Sequence, residues 1–259
     1  YDAMDRTFFL YTSDHGFNMG QHTLAADKRE PYETDIRIPF FIKGPGVTEG
    51  RELPQVTGMV DLPPTIMALA GLPVAERWDG KSFAGLVTAG DSADGVSAAW
   101  ARQEYLVAYM ACSQEPKISP NDGGHAKDAG NNTFIGLRII NETSNLAYYE
   151  FTDAYKDWNF EKVQFYELYN LANDPHQLHN QYYRGSFSPG VKQELHERLR
   201  TAWACQGSGC GTTARAFNEP RAASTPEPQQ LPRRQLLLDT TKALHVVNAR
   251  FASVTYDIG

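Results

Sequence analysis

Residues 7–46, TFFLYTSDHGFNMGQHTLAADKREPYETDIRIPFFIKGPG, place the strongest constraint on the fold. The stretch opens on Phe8-Phe9-Leu10-Tyr11, an apolar run long enough for one buried strand and too short for a helix. It stops at Thr12-Ser13-Asp14-His15-Gly16, where a carboxylate and an imidazole stand side by side before a glycine. In open α/β sheets, ligands bind in the loops beyond the carboxyl ends of the strands, and Asp14 and His15 fall at such a place. A polar loop carrying His22 and Lys28 follows. Residues 32–37 then read as helix and residues 38–42 as a second buried strand. Pro39 argues for an edge or first-residue position in its ladder. Taken alone, Asp-His-Gly also reads as an ordinary turn, with His15 satisfied by a neighbouring carbonyl.

Further along, Asp61 is placed to N-cap a helix over residues 62–70, with proline in its first turn and Gly71 to end it. Ile66, Leu69 and Ala70 share a face, which predicts packing of that face on a sheet. From about 78 to 103 the sequence turns to Gly, Ala, Ser and Asp and reads as a connection. Residues 105–110, 134–140, 146–151 and 165–170 are short β-rich runs separated by turn residues. Their partial alternation predicts a half-buried antiparallel sheet. Ser188-Pro189 opens a helix in which Val191, Leu195, Leu199 and Trp203 recur at helical spacing, an apolar stripe able to cover one face of that sheet. The polar connection 111–132 could border a substrate site or be solvated surface. Residues 211–234 predict little order, while 236–238 and 243–247 could dock on the body. The expected division is 1–103, 104–210 and a tail, 211–259.

With 41% hydrophobic residues the chain can bury a substantial core. A formal charge of −7 and the lack of a dense Lys/Arg run give no support to nucleic-acid binding. No run of 18 apolar residues predicts a membrane span. The start at Tyr1, close to a strand, leads us to expect the C-terminal piece of a longer protein. Cys205 and Cys210 are spaced either for a metal half-site or for a disulfide. No second pair completes the former, and a disulfide points to the secretory pathway. Cys112 is left over, as a buried thiol or as a partner for a preceding part. Asn131 and Asn141 each open an N-glycosylation sequon.

The ordered string SDHG, Gly20-Gln21-His22, Lys28, Pro31-Tyr32-Glu33, Asp35-Ile36-Arg37 and Gly44-Pro45-Gly46 resembles the sulfatase family of the alkaline-phosphatase-like superfamily. It is most similar to the N-acetylglucosamine-6-sulfatases and the extracellular heparan sulfatases. The resemblance continues through Asp79-Gly80-Lys81-Ser82, Tyr166-Glu167-Leu168-Tyr169-Asn170-Leu171, Asn173-Asp174-Pro175 and the Cys205/Cys210 pair, over roughly the first 215 residues. It implies an α/β fold: the C-terminal part of a sulfatase domain, then a small α+β subdomain with a four-stranded antiparallel sheet and a helix.

The same resemblance implies a sulfuric ester hydrolase removing 6-O-sulfate from glucosamine in glycosaminoglycans, in the lysosome or outside the cell. It implies a formylglycine nucleophile, made from a Cys in a C-x-P-S/A-R motif, and a divalent cation, usually Ca2+. That motif and the family's paired N-terminal aspartates do not occur in these residues, so the chain alone is expected to be inactive, with both supplied by the missing N-terminal part of the same protein. By residue, the resemblance makes Asp14 a metal ligand, as its hard carboxylate suits, and His15 the adjacent ligand position or, since Ca2+ rarely takes nitrogen, a residue that contacts sulfate or orients Asp14. Lys28 would contact the sulfate of a sulfated glycan, or be a solvated loop lysine, and His22 could serve as general acid or be a plain surface histidine. Glu33, Asp35 and Arg37 could bind substrate or lock the loop. The competing readings are a phosphoester or phosphonate hydrolase of the same superfamily and a non-catalytic binder of sulfated glycans.

Overall fold

The computed structural model describes residues 3–88, 100, 102–111, 130–141, 143–153, 159–207, 209–210 and 248–252. Cys112, the greater part of the 111–132 connection and residues 211–247 lie outside them, and so do the expectations made there.

Strand β1 (Phe9–Thr12) is present but not buried as expected: Phe9, Leu10 and Tyr11 are 47%, 36% and 67% exposed. An apolar run sets strand propensity, while exposure depends on neighbours. Among the described residues β1 has one ladder partner, β3 (Phe40–Lys43), running antiparallel from Phe9↔Lys43 to Thr12↔Phe40. Helix α1 (Glu33–Ile36) and β2 (Arg37–Ile38) lead into β3, and Pro39 divides the strand expected at 38–42. Lacking an N–H, Pro39 ends one ladder, and the chain passes there from one sheet to another. The Thr12 hydroxyl fastens the crossing by donating to the Pro39 carbonyl at 2.8 Å.

The second sheet takes β2 antiparallel to β9 (Asn248–Ala252), and β9 runs parallel to β4 (Glu52–Gly58). The sequence reading placed no strand at 248–252.

Helix α2 (Leu62–Leu69) forms as expected and ends where Gly71 takes a positive φ of 69°. Two expectations there are corrected. The Asp61 side chain does not cap α2; its carboxylate accepts from the backbone N–H groups of Gly58 (2.9 Å) and Lys81 (2.7 Å) and pairs with Arg102. The apolar face is also turned: Leu62, Pro64 and Thr65 are buried, whereas Ile66 and Ala70 are exposed. The reason is the anchoring of the first turn. Thr65 Oγ1 donates to the Asp61 carbonyl and accepts from the Phe83 N–H, which rolls that side of the helix inward. Phe83, Leu86 and Val87, at the start of and within α3 (Ala84–Thr88), then pack with Ile38, Phe40, Ile42 and Leu53.

The third sheet holds β5 (Glu104–Tyr109), β6 (Thr133–Ile140), β7 (Asn145–Thr152) and β8 (Phe165–Asn170), antiparallel in the order 5-6-7-8. The alternation had suggested one wet face. Instead β6 and β7 are buried on both faces. Helix α4 (Pro189–Ala204) covers one face with Val191, Leu195 and Leu199, the stripe read from the sequence. The Ser188 hydroxyl caps α4 by accepting from the Val191 N–H. Tyr32, Ile36 and Val56 cover the other face. Leu195 and Leu199 are fully buried, and truncating either to alanine removes about 2–5 kcal/mol.

Just beyond α4, Cys205 and Cys210 are joined by a disulfide with Cα atoms 5.6 Å apart. The Gly207 N–H inside this loop donates to Asp79 Oδ1 at 2.5 Å, tying the loop to the segment before α3. Among the described residues no helix is long and apolar enough to cross a membrane.

Candidate active site

The turn after β1 is fixed by its own side chains. Ser13 Oγ donates to the His15 carbonyl at 2.8 Å and lies 3.3 Å from Asp14 Oδ1. Gly16 and Phe17 donate their N–H groups to the Asp35 and Thr34 carbonyls, at 2.7 and 2.9 Å. Glycine is required at position 16, because a Cβ there would lie 1.9 Å from the Thr34 oxygen.

This packing aims Asp14 and His15 together. The Asp14 side chain is 78% exposed, while that of His15 is largely enclosed, with Nε2 3.3 Å from Asp14 Oδ2. His15 Nδ1 lies 2.5 Å from the Gly16 carbonyl, which can only accept, so Nδ1 carries a proton. The Nε2 atom then faces a carboxylate oxygen. The two atoms are placed to share a cation. For Asp14, the burial penalty is the largest single influence, yet it is outweighed by His15, the N–H groups of Asp14 and His15 and the Ser13 hydroxyl acting together. Together they hold its carboxyl below the usual range. An exposed oxygen beside an available imidazole nitrogen is a donor pair suited to a divalent cation. Among the described residues no group of three or more His, Cys, Asp or Glu side chains assembles, so this pair is at most part of a coordination shell.

The second arm of the site is the loop closed by the Asn18–Asp27 bridge. His22 and Thr23 both take positive φ, 57° and 61°. Non-glycine residues in this region cost on the order of 1–3 kcal/mol each and persist only where the surroundings over-determine them. The strained turn sets the His22 ring on Tyr32, with centroids 4.3 Å apart. Lys28 is half-buried; its N–H donates to Asp27 Oδ1, and its ammonium makes no ion pair among the described residues.

Asp35 joins the two arms. Its carbonyl holds Gly16, next to His15, and its Oδ2 accepts the Glu30 N–H at 2.9 Å, two residues beyond Lys28. Burial pushes its carboxyl above the usual range, against the Glu30 N–H and the Thr34 hydroxyl. Asp35 therefore locks the loop, and Glu33 does likewise, meeting Arg138 Nε at 2.8 Å and Arg37 at 3.9 Å.

Four contacts from the third sheet and its loops clamp residues 29–33. Asn132 Nδ2 donates to the Arg29 carbonyl, the Tyr32 hydroxyl to Glu167 Oε1, the Glu33 N–H to Gln177 Oε1, and Arg138 to Glu33. Sequence reasoning passed over Tyr32, Glu167 and Gln177 as site supports. The available signal was a lone carboxylate at position 167 inside an apolar strand. The two sequons lie on the same unit: Asn131 is exposed, and Asn141 sits in the β6–β7 turn, where its Oδ1 accepts from Thr143 and Ser144.

Residues 2–72 match the sulfatase family model. The chain is 33% identical over 221 residues to the N-acetylglucosamine-6-sulfatase of Bos taurus, covering 81% of this chain and 37% of that protein. It is 40% identical over 80 residues to an extracellular sulfatase SULF-1 homolog of Drosophila melanogaster, covering 31% of this chain and 7% of that one. A solved structure in complex with its substrate, D-glucosamine-2-N,6-O-disulfate, aligns with a TM-score of 0.51 at 22% identity, over 76% of this chain and 34% of the other. The chain thus spans little more than a third of the length of this N-acetylglucosamine-6-sulfatase. The fold is that of the alkaline-phosphatase-like sulfatases, with the four-stranded antiparallel sheet and helix described above. The Asp-His turn, the loop it is tied to and the clamping sheet all fall within a chain that belongs to the sulfatase family.

Proposed function

We propose that this chain is the C-terminal part of a sulfatase that hydrolyses the 6-O-sulfate of glucosamine residues in glycosaminoglycans. The observation that carries this is the joining of two arms through Asp35: the Asp14–His15 pair on one side and the His22/Lys28 loop on the other. Similarity to an N-acetylglucosamine-6-sulfatase, at 33% identity over 81% of this chain, favours the 6-sulfated sugar.

On this reading Asp14 would supply a carboxylate oxygen to a divalent cation, Ca2+ by the hardness of that donor, with His15 at the adjacent position. Bound there, the cation would neutralise charge on the sulfate oxygens. Lys28, whose ammonium makes no ion pair among the described residues, contacts the sulfate as a compact point charge. His22 donates a proton to the departing sugar oxygen, held by its stacking on Tyr32. The formylglycine nucleophile and the remaining ligands come from a preceding part of the same protein, which also covers the exposed side chains of β1. The division at 103/104 separates this catalytic part from a supporting sheet unit ending at 210. The disulfide and the sequons at Asn131 and Asn141 favour a lysosomal or extracellular protein.

The test is turnover of N-acetylglucosamine 6-sulfate by the full-length protein, with and without a chelator, alongside the 259-residue chain alone. The full-length protein should release sulfate and lose activity on chelation. Release of phosphate from a phosphomonoester or phosphonate in preference to sulfate would overturn the assignment, as would full turnover by this chain by itself.

A further inference from the structure

We propose that Glu167, on β8, is a positioning residue for the His22 arm, holding from behind the Tyr32 ring on which His22 stacks. The inference rests on the reading of His22 as a site residue, but the contact it concerns can be measured without any reaction.

The geometry runs in one line from the sheet to the loop. Glu167 is 7% exposed, and its Oε1 accepts from the Tyr32 hydroxyl at 3.3 Å. The Tyr32 ring meets Tyr169 edge-on and stacks with His22, centroids 4.3 Å apart. Packing does not explain a carboxyl here. A leucine at this register position would fill the same layer without the desolvation a buried carboxyl suffers. Strain in the loop points the same way, since two consecutive left-handed residues bring His22 onto a ring that Glu167 fixes.

The surroundings of Glu167 are polar in a specific pattern. Glu167 Oε2, the hydroxyl of Tyr149 and Gln177 Nε2 are each buried without a hydrogen-bond partner among the described residues. Tyr149 is the direct cross-strand partner of Glu167, and Gln177 holds the Glu33 N–H through its other amide atom at 2.8 Å. All three therefore lie against the Tyr32-Glu33 step. The charged and titratable groups facing this place are Tyr32, Glu33 and Glu30 from the loop and α1, Arg138 from β6, Tyr149 from β7 and Tyr169 from β8. Arg138 is already engaged by Glu33 and by the carbonyls of Ile139 and Leu146. Burial pushes the Glu167 carboxyl up to about 7, against the Tyr169 and Tyr32 hydroxyls. The O–H donated by Tyr32 then binds a neutral acid at acidic pH and a carboxylate above neutrality, and the second bond is the stronger.

The experiment is NMR of the full-length protein, isotopically labelled at histidine and tyrosine, reading the ring protons of His22, which the Tyr32 ring displaces upfield. Glu167→Gln keeps an acceptor and should keep the displacement. Glu167→Leu and Tyr32→Phe break the hydroxyl–carboxyl bond from either side and should lose most of it. The Tyr149 ring signals should show an inflection near pH 7 that disappears in Glu167→Gln. Unchanged His22 signals in a folded Glu167→Leu or Tyr32→Phe chain would overturn the proposal. If the leucine variant does not fold, Tyr32→Phe decides alone. Failure of the full-length protein to hydrolyse sulfate esters would remove the functional reading and leave this result standing.

Discussion

Arg138 Nε lies 2.8 Å from Glu33 Oε1, an ion pair that joins the antiparallel sheet to the helix carrying Asp35. The Arg138 side chain is buried and also donates to the carbonyls of Ile139 and Leu146. Removing one member of a buried pair strands the other, a loss of about 3–5 kcal/mol. Arg138→Met should therefore lower stability by roughly 3 kcal/mol, measured by urea unfolding. A change within experimental error would show that solvent relaxes around Glu33 and that the clamp is weak.

Lys28 should behave in the opposite way. Its ammonium makes no ion pair among the described residues, so Lys28→Ala should leave the melting temperature of the full-length protein almost unmoved. Turnover of a sulfated monosaccharide should fall by on the order of 10²–10³, the scale of losing one electrostatic contact to a developing anion. Lys28→Arg should restore little, because a planar fork does not reproduce a compact point charge. Near-normal turnover in Lys28→Ala would return this residue to the ordinary surface.

Glu167 makes the stability of the chain depend on pH in a definite direction. Its carboxyl titrates at 4.5 when unfolded and at about 7 when folded, so between those values the folded state holds the extra proton. Stability is then full below about 4.5, declines as pH rises through that window, and levels off above about 7, a total of about 3 kcal/mol. Thermal melts at intervals from pH 4 to 8 should show this decline, and Glu167→Gln should flatten it. A decline of the same size in the glutamine variant would assign the effect to other groups. A fold firmest in acid suits the lysosomal branch of the proposed localisation.

The Cys205–Cys210 bridge closes a short loop, so on chain-entropy grounds it contributes roughly 2 kcal/mol. Non-reducing peptide mapping of secreted protein should recover the linked pair. Substituting both cysteines by serine should lower the melting temperature and free the Gly207 contact to Asp79. Recovery of two free thiols would count against the secretory reading.

Glycine at position 16 offers a test of the metal arm that leaves every proposed ligand in place. Gly16→Ala puts a methyl group 1.9 Å from the Thr34 carbonyl, so the backbone must shift and carry the Asp14–His15 turn with it. Calorimetric titration of the full-length protein with Ca2+ should show weakened binding while the overall fold persists. Unaltered affinity would mean that the turn tolerates displacement.

Local pattern carried much of this structure. The four runs of the antiparallel sheet, the Val191-Leu195-Leu199 stripe and the Asp-His turn after β1 were legible because each depends on residues close in sequence. What was illegible depends on distant partners. Asp61 looked like a helix cap, yet its oxygens go to Gly58, Lys81 and Arg102, and only the fold brings these together. The burial of β6 and β7 on both faces needs Tyr32 and Val56 to arrive from the other end of the chain. Likewise, nothing around Glu167 in the sequence announces that its partner is Tyr32, 135 residues earlier.

The exposure of β1 has a practical consequence. Phe9, Leu10 and Tyr11 stand on a strand with a single ladder partner among the described residues, which is the arrangement that recruits further strands. Produced by itself, the chain should self-associate through this edge as its concentration rises. A lysine introduced at Leu10 or Tyr11 would raise the solubility ceiling, while co-expression with the preceding part of the protein would remove the need for it.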